Sequence, residues 1–267
     1  MENPKIVFDH VGKVFKTRKQ KIEAVHDYSM KVDEGDFVSI VGPSGCGKST
    51  LIRLLDGIIK PTSGNIFIDG QEVSKGKMKK EFLQKMGFVF QEPNLLPWLN
   101  IKDNVALPLK ILKLEEDETV SEKRVDDLLK MVGLEKNWDS FPVEVSGGMN
   151  QRVGVIRAMV HNPEILLMDE PFGSLDGITQ EVLDMELLKI WEESHKTIVF
   201  ITHSVEEAVL LSKKVYVMAT KPGRLVSVEN IDLPYPRSLE MVTSEKFNNY
   251  TQKITDLIGK LDLKNIK

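Results

Sequence analysis

Short, uninterrupted apolar runs alternate with longer stretches of helical periodicity through most of the chain. Four runs have the length of buried strands, and they lie at Phe37 to Val41, Ile165 to Met168, Thr197 to Thr202 and Val215 to Ala219. Strands that are buried on both faces are apolar throughout, and their alternation with helices favours a parallel sheet covered on both sides. The pattern therefore predicts an α/β core.

The first seventy or so residues follow a different pattern, in which short strands are separated by turn residues. Candidate strands lie at Ile6 to Phe8, Tyr28 to Val32 and Asn65 to Ile68. The turn signals Thr62-Ser63-Gly64 and Asp69-Gly70 stand beside the third strand. Strands joined by short polar turns tend to pair with antiparallel neighbours. We therefore expect an antiparallel β subdomain.

Helical periodicity predominates between about Pro93 and Val160, where we expect an inserted α-helical subdomain. One apolar face in this interval recurs at i, i+3, i+4 and i+7, and Gly133 follows it as a helix stop. The residues of that face are Val125, Leu128, Leu129 and Val132.

Residues 226–267 form a C-terminal extension that ends in an amphipathic pattern. The apolar positions of that pattern are Phe247, Tyr250, Ile254, Leu257 and Ile258. Ser244 precedes them and has a side chain suited to a helix N-cap. Two interpretations are open, namely a helix docked on its own domain and a helix that binds a partner.

Composition narrows the class of protein. The chain has 267 residues, of which 41% are hydrophobic, which suffices for one large domain with subdomains. Its net charge of −4 gives no electrostatic reason to expect a nucleic-acid partner. The N-terminal segment lacks the apolar core of a secretion signal, and no apolar run approaches the roughly 20 residues that span a bilayer. We expect a soluble chain in a reducing cytosol, because its only cysteine, Cys46, has no internal partner.

Residues Gly42 to Thr50 match the phosphate-loop pattern G-x-x-x-x-G-K-[ST] completely. The glycines let the backbone form a nest of N–H groups at the N-terminus of a helix expected to begin near Lys48, where phosphate binds. Lys48 is expected to reach the β- and γ-phosphates, and Ser49 to ligate Mg²⁺. Bound MgATP is expected to protect the Cys46 thiol from alkylation. The predicted ATP-binding residues of this loop are Gly42, Pro43, Ser44, Gly45, Cys46, Gly47, Lys48, Ser49 and Thr50.

The apolar run that begins at Ile165 ends in two acids, Asp169 and Glu170. Ligands of open α/β sheets bind at the carboxyl ends of the strands, which is where these acids are expected to lie. Asp169 is predicted to hold Mg²⁺, and Glu170 to orient or deprotonate the attacking water. Solvated acids at a strand end are the alternative for an isolated pair, and the complete phosphate loop favours the catalytic interpretation.

Four further segments occur in a specific order that resembles the ATPase domain of ABC transporters over residues 1–225. They are Gln91 after the run Phe88 to Phe90, Ser146-Gly147-Gly148, Ser174-Leu175-Asp176, and His203 after a strand. The ordered set is specific, whereas an isolated Ser-Gly-Gly carries little information. The resemblance implies an α/β, P-loop NTPase (RecA-like) core with an antiparallel β subdomain and an inserted α-helical subdomain.

The resemblance also implies a role for each segment. Ser146 to Gly148 match the signature motif, which contacts ATP held by the other subunit of a dimer, and Asp176 matches the D-loop aspartate at that interface. Gln91 matches the Q-loop glutamine, a Mg²⁺ and water contact that senses the membrane subunit. His203 matches the switch histidine, which contacts the γ-phosphate. Phe15 resembles the aromatic that stacks on adenine, although a core aromatic is the alternative.

Several segments look like the importer group for nitrate, sulfonates and taurine. These are Gln91 to Leu99, Asn104 to Leu109, Pro171 to Asp176 and Lys221 to Arg224. Within the first, Leu95 to Trp98 is interpreted either as an apolar edge that receives a permease helix or as ordinary packing. The chain departs from the family at Val145, where leucine is usual, and at Asn150, where arginine is common. These departures concern local packing and salt bridges.

The implied function is that of the ATP-hydrolysing subunit of an importer, peripheral to the cytoplasmic face of the cell membrane. Two copies are expected to enclose two MgATP between the phosphate loop of one and the signature of the other. Closure would drive separate transmembrane permease subunits. A periplasmic or extracellular solute-binding protein would deliver the solute to that permease. The sequence does not identify the solute, because the solute contacts those other proteins.

Two other classes of protein share part of this sequence pattern. Soluble ABC ATPases that act on DNA or ribosomes usually carry a long coiled-coil insertion or a second ATPase domain, and neither is present in this sequence. A small-molecule kinase or a GTPase would share the phosphate loop. That class does not account for Ser146 to Gly148 or His203, and the guanine-reading Asn-Lys-x-Asp is absent.

Overall fold

The computed structural model describes residues 4–16, 20–75, 78–114, 117–173 and 175–265. The strands in these ranges are β1 (Ile6–Lys16), β2 (Lys21–Val32), β3 (Phe37–Val41), β4 (Ser63–Ile68), β5 (Gln71–Glu72), β6 (Met86–Val89), β7 (Ile165–Asp169), β8 (Thr197–Ile201), β9 (Lys214–Ala219) and β10 (Arg224–Asn230). The α-helices are α1 (Lys48–Leu55), α2 (Lys80–Lys85), α3 (Ile101–Leu112), α4 (Glu118–Met131), α5 (Gly147–Met159), α6 (Gly177–Ser194), α7 (Val205–Leu211) and α8 (Glu245–Asn265). Two short 3₁₀ turns lie at Pro142–Glu144 and Leu239–Thr243.

The central sheet has the strand order β10-β9-β3-β8-β7-β6. The strands from β9 to β6 pair in parallel, and β10 joins the edge antiparallel to β9. All four predicted apolar runs are strands of this sheet, and every residue of β3 and β8 is buried. The predicted parallel core is therefore confirmed. Since parallel strands end at one edge, the loops that follow β3, β7 and β8 meet there.

The antiparallel sheet has the order β2-β1-β4-β5 and confirms the predicted β subdomain. Its first two strands are longer than the sequence indicated, because β1 continues to Lys16 and β2 begins at Lys21. The register of this pair shifts near His10, where the chain adopts a φ of 50°. Such bulges interrupt the alternation of apolar and polar residues while the strand continues, so the pattern predicted only its regular part.

The helices α3, α4 and α5 lie within the interval that the sequence predicted to be helical, and they share a hydrophobic cluster of their own. Its most buried members include Ile101, Val105, Leu129, Val153 and Ile156. In the described ranges, no helix combines the length and the apolar character that crossing a bilayer requires.

The C-terminal extension is built into the core. The boundary expected after residue 225 falls inside β10, which is a strand of the central sheet. The helix α8 packs on α7 and β9, and buries Phe247 and Ile254 there. The Ser244 hydroxyl accepts a hydrogen bond from the Phe247 N–H at 3.3 Å, as expected of an N-cap. Of the two interpretations, the structure thus shows a helix docked on its own domain.

Arg237 fixes this extension to the end of α7. Its guanidinium is buried and donates to the carbonyl oxygens of Val209, Leu210 and Ser212 at 2.9 to 3.0 Å. These carbonyls belong to the last turn of α7 and to its C-cap residue, where a helix has unpaired acceptors and partial negative charge. The guanidinium therefore serves as the C-terminal cap of α7.

Candidate functional site

The loop between β3 and α1 forms a cradle for an anion. Gly47 stands at the N-cap of α1 with a φ of 94°, and no side chain caps the first turn. A Cβ at this position would lie 2.8 Å from the carbonyl oxygen of Ala24, so the backbone conformation and the space both require glycine. The N–H groups of the first turn remain available to a ligand, and the helix dipole favours a negative one.

The cradle opens into a cavity of about 520 Å³. The cavity is lined by Ile22, Glu23, Ala24, Ser44, Gly45, Cys46, Gly47, Lys48, Ser49, Thr50, Gln91, Glu170, Lys221 and Gly223. The Lys48 side chain is only 7% exposed, and its Nζ donates to the carbonyl oxygen of Gly42 at 3.0 Å. The same Nζ lies 3.8 Å from Oε1 of Glu170. The ammonium group thus lies between the phosphate loop and the carboxylate.

Ser49, which lines the cavity, brings its hydroxyl group next to the carboxylate of Asp169. The Ser49 hydroxyl donates to Oδ1 of Asp169 at 3.1 Å. Burial raises the pKa of Asp169, and the hydrogen bond from Ser49 partly offsets this rise. Hydroxyl and carboxylate oxygens suit Mg²⁺, which binds through one or two carboxylates together with substrate phosphates and water. The described residues contain no cluster of three or more His, Cys, Asp or Glu side chains, and such an Mg²⁺ site needs none.

Glu170 occupies the turn that directly follows β7. Its φ of 47° is left-handed, a conformation that costs a non-glycine residue about 1–2 kcal/mol. The hydrogen bond from its N–H to the carbonyl oxygen of Ile201, at 2.9 Å, ties this turn to β8. Oε2 of Glu170 lies 3.5 Å from Nδ1 of His203, whose side chain is 62% exposed. The strained turn therefore places the carboxylate between Lys48 and His203.

Gln91 lines the same cavity and connects it to the helical subdomain. Its carbonyl oxygen accepts a hydrogen bond of 2.9 Å from Nε2 of Gln151, a buried residue of α5. None of the sequence motifs includes Gln151 as a functional residue. The sequence signal for this residue is a polar side chain among the apolar positions of α5.

Phe15 lies on β1, directly opposite Ile22 of β2. Ile22 lines the cavity, whereas Phe15 is not among the lining residues. The ring is partly exposed and lies 5.1 Å from Nζ of Lys13. The stacking of Phe15 on adenine stays a prediction.

Cys46 contributes to the cavity wall, but its side chain is fully buried in the core beneath the loop. Burial also raises the pKa of the thiol. The thiol is therefore shielded without a nucleotide. The expectation that MgATP protects it loses its structural basis, because the motif indicated where the loop runs and not which way this side chain points.

The signature segment lies at a second helix N-terminus. Ser146 caps α5, and its Oγ accepts a hydrogen bond from the Met149 N–H at 3.2 Å. Ser146 and Gly147 are exposed, and a Cβ built at Gly147 would meet no heavy atom within 4 Å. Asn150, where the family often has arginine, donates to the carbonyl oxygen of Pro142 at 2.9 Å. This N-terminus is therefore preformed and open to solvent.

Asp176 caps the neighbouring helix, α6. Its carboxylate accepts hydrogen bonds from the N–H and the hydroxyl of Thr179, at 3.1 and 2.7 Å, and these bonds lower the pKa of Asp176. A Cβ at Gly148 would lie 3.2 Å from the Thr179 methyl carbon, so the N-termini of α5 and α6 are in contact. Ser146 to Gly148 and Asp176 thus share one surface, and none of them lines the cavity. Ser174 lies outside the described residues.

Comparison with known proteins gives a consistent picture. A family model described as "ABC transporter" matches residues 25–173. An aliphatic sulfonates import ATP-binding protein of Bacillus cereus is 39% identical over 249 residues, covering 93% of this chain and 94% of the relative. A nitrate import ATP-binding protein of Synechococcus elongatus is 38% identical over 251 residues, covering 94% and 89%. A taurine import ATP-binding protein of Pelagibacter ubique is 39% identical over 227 residues, covering 85% and 83%.

Among solved structures, the chain is similar to the ATP-binding cassette MJ0796 in a dimeric post-hydrolysis state bound to ADP and Pi. The two share 34% identity with a TM-score of 0.76, over 86% of this chain and 100% of that one.

Proposed function

The chain belongs to the ABC transporter family, and from this premise we propose that it hydrolyses ATP to drive the uptake of a small solute through a separate permease. The observation that carries the proposal is the position of Glu170 at the mouth of the phosphate loop, between Lys48 and His203. A carboxylate at this place can accept a proton from water that attacks a phosphate bound in the cradle.

Each group around Glu170 has a separate task in this mechanism. The N–H groups of the loop and Lys48 hold the β- and γ-phosphates. Glu170 orients the attacking water and accepts its proton. His203, which lies beside the other oxygen of that carboxylate from Lys48, would contact the γ-phosphate. Ser49 and Asp169 would hold Mg²⁺, with Gln91 beside them, and the metal would offset the negative charge of the phosphates.

The active unit is a homodimer in which each site is completed by the partner subunit. Ser146 to Gly148 lie away from the cavity of their own chain, on an exposed helix N-terminus that suits an anion brought by another molecule. The dimeric structure of MJ0796 supports this arrangement. Asp176 lies on the same surface and would face the partner subunit as well.

The relatives support a solute such as nitrate, a sulfonate, taurine or a related small organic molecule. In that case the chain is peripheral to the cytoplasmic face of the membrane, and a solute-binding protein delivers the solute to the permease. The Trp98 side chain is 70% exposed, whereas Leu95 packs against the core of the helical subdomain. Trp98 therefore offers the apolar edge for a permease helix, and Leu95 has an ordinary packing role.

The Glu170→Gln substitution tests the proposal. It keeps the shape of the side chain and removes its charge, so MgATP binding should persist while turnover falls by about 10²-fold or more. A stable dimer should then appear in gel filtration with MgATP and be absent without it, with the protein concentration varied because dimerisation depends on mass action. Near-normal hydrolysis by this variant would remove Glu170 from the role of base. A wild-type protein without ATPase activity, alone or with its permease, would refute the function itself.

A further inference from the structure

Two buried carboxyl groups meet between α6 and α7. The side chains of Asp184 on α6 and Glu207 on α7 are 4% and 6% exposed, and they hydrogen-bond to each other. Among the described residues, no lysine or arginine forms an ion pair with either group. Buried acids without a cationic partner are costly, so their presence at this place calls for a reason.

Asp184 is the member of the pair that keeps its proton at neutral pH. Burial and the neighbouring charge of Glu207 raise the pKa of Asp184 to about 10, and burial also raises the pKa of Glu207. Hydrogen bonds from Thr202 and Gln180 favour the charged form of Glu207, whereas Oδ1 of Asp184 has no partner. Asp184 is thus the hydrogen-bond donor of the pair and Glu207 the acceptor. The other charged groups that act on the pair are Glu181, which raises the pKa of Asp184, and His203, which lowers that of Glu207.

Glu207 holds the residues on both sides of His203. The buried Thr202 hydroxyl donates to the Glu207 carboxylate and accepts from the Ser204 N–H at 2.9 Å. The Ser204 hydroxyl in turn accepts from the Glu207 N–H at 3.2 Å. His203 itself is exposed and reaches Glu170, so its position depends on this turn.

The same carboxylate is bound to α6. Nε2 of Gln180 donates to Oε1 of Glu207 at 3.1 Å, and Asp184 lies one helical turn further along. The helix α6 begins at the cap Asp176, one turn before Gln180. Glu207 therefore joins the turn that carries His203 to the helix whose N-terminus contacts the signature helix.

We propose that Asp184 and Glu207 are positioning residues for ATP hydrolysis: Glu207 fixes the turn that carries His203, and Asp184 anchors Glu207 to α6. The inference rests on the proposed function, because it assigns these residues to the hydrolysis step. His203 contributes after ATP has bound, so a disordered turn should slow turnover and leave ATP affinity intact.

The first test compares Glu207→Gln with a matched control, Glu229→Gln. Glu229 is also 6% exposed, but it pairs with Lys253 between β10 and α8, away from the site. Glu207→Gln should lower kcat about tenfold with KM for ATP changed less than about twofold, and Glu229→Gln should retain wild-type kinetics. Wild-type kcat in the Glu207→Gln variant, or equal losses in both variants, would overturn the proposal. Activity of the wild type and the control shows that the proposed function stands either way.

The second test replaces Asp184. Asparagine can donate a hydrogen bond to Glu207 as the protonated acid does, whereas leucine fills the space without a donor. We expect kcat of Asp184→Asn to exceed that of Asp184→Leu by about fivefold or more. Equal kcat values for the two variants would contradict a donor role for Asp184.

The third test is a double-mutant cycle with His203→Ala. If Glu207 acts through His203, Glu207→Gln should lower kcat less than about twofold once His203 is gone. A merely structural role would give the same tenfold loss in both backgrounds, and that result would overturn the proposal. Phosphate release is measured at high enzyme concentration so that the slow variants are quantified.

A final test follows the proton on Asp184. A carboxyl group whose pKa rises from the usual 3.8 to about 10 on folding binds a proton in the folded state that the unfolded state has released. Its contribution to stability is full below pH 4 or so and is lost progressively as the pH rises toward 10. The melting temperature of Asp184→Asn relative to wild type should therefore increase from about pH 6 to pH 9. A difference that does not change with pH would show that the pair carries no such proton.

Discussion

The N-termini of α1 and α5 both contain glycine, at the N-cap of α1 and in the first turn of α5, yet their surroundings differ. At α1, Gly47 leaves the first turn without a side-chain cap, and the loop lies over a cavity that also contains Lys48 and Glu170. At α5, Ser146 caps the helix, and the space beside Gly147 is open. Both ends offer N–H groups and partial positive charge to an anion. Only the first has the proposed catalytic side chains of its own chain around it, which agrees with the proposal that the second acts on a phosphate brought by the partner subunit.

The largest expected effect is that a substitution at the α1 end weakens ATP binding, whereas a substitution at the α5 end slows turnover. Lys48→Ala should raise the Kd for MgATP by about 100-fold, because a buried charge-assisted contact to phosphate is lost. Ser146→Arg should leave Kd within about threefold of wild type and reduce turnover by about 100-fold or more, because the side chain obstructs the partner's site. Calorimetric titration with MgATP and phosphate-release assays measure the two quantities.

A heterodimer of these two variants provides the control. Both substitutions then fall in one of the two shared sites, and the other site combines an intact phosphate loop with an intact signature segment. Its ATPase activity should exceed that of either homodimer. Loss of MgATP binding by monomeric Ser146→Arg protein would instead place the signature in the site of its own chain and remove the contrast between α1 and α5.

The sequence predicted the α1 end almost to the residue, because the loop motif encodes its own backbone conformation. The strand β3 lies at Phe37–Val41 as expected, and α1 begins at Lys48. The contact between Gly148 and Thr179 could not be predicted from the sequence, because it depends on how two helices that are separated along the chain pack together.

The buried carboxyl pair was missed for a related physical reason. Asp184 lies in a helix that also carries Glu181 and Glu186, so its carboxyl group looks like part of a solvated face. Only the packing of α7 against α6 shows that it is buried beside Glu207. In both cases, local motifs specified local backbone, and tertiary contacts decided which side chains meet.

A smaller effect is expected from adding one methyl group at each helix end. Gly47→Ala places a Cβ 2.8 Å from the Ala24 carbonyl oxygen in a left-handed conformation, which should lower the free energy of unfolding by about 1–3 kcal/mol. Gly147→Ala meets no neighbour, so its free energy of unfolding should stay within about 1 kcal/mol of wild type. Urea denaturation measures both values. Equal destabilisation by the two substitutions would mean that the α5 end is packed rather than open.

The smallest effect concerns alkylation of Cys46, which belongs to the loop of the α1 end while its side chain faces the core. The thiol is fully buried, and burial raises its pKa, so little reactive thiolate is present at neutral pH. Alkylation by N-ethylmaleimide should therefore be slow, should require local opening, and its rate should change less than about twofold when MgATP is added.

A Cys46→Ala, Ser146→Cys, Glu170→Gln variant supplies the matched thiol at the open α5 end. That thiol should react quickly without nucleotide and be protected by MgATP, because closure of the dimer covers it. Strong protection of Cys46 by MgATP in monomeric protein would show that its side chain faces the nucleotide. The predicted difference between the thiols at the α1 and α5 ends would then be wrong.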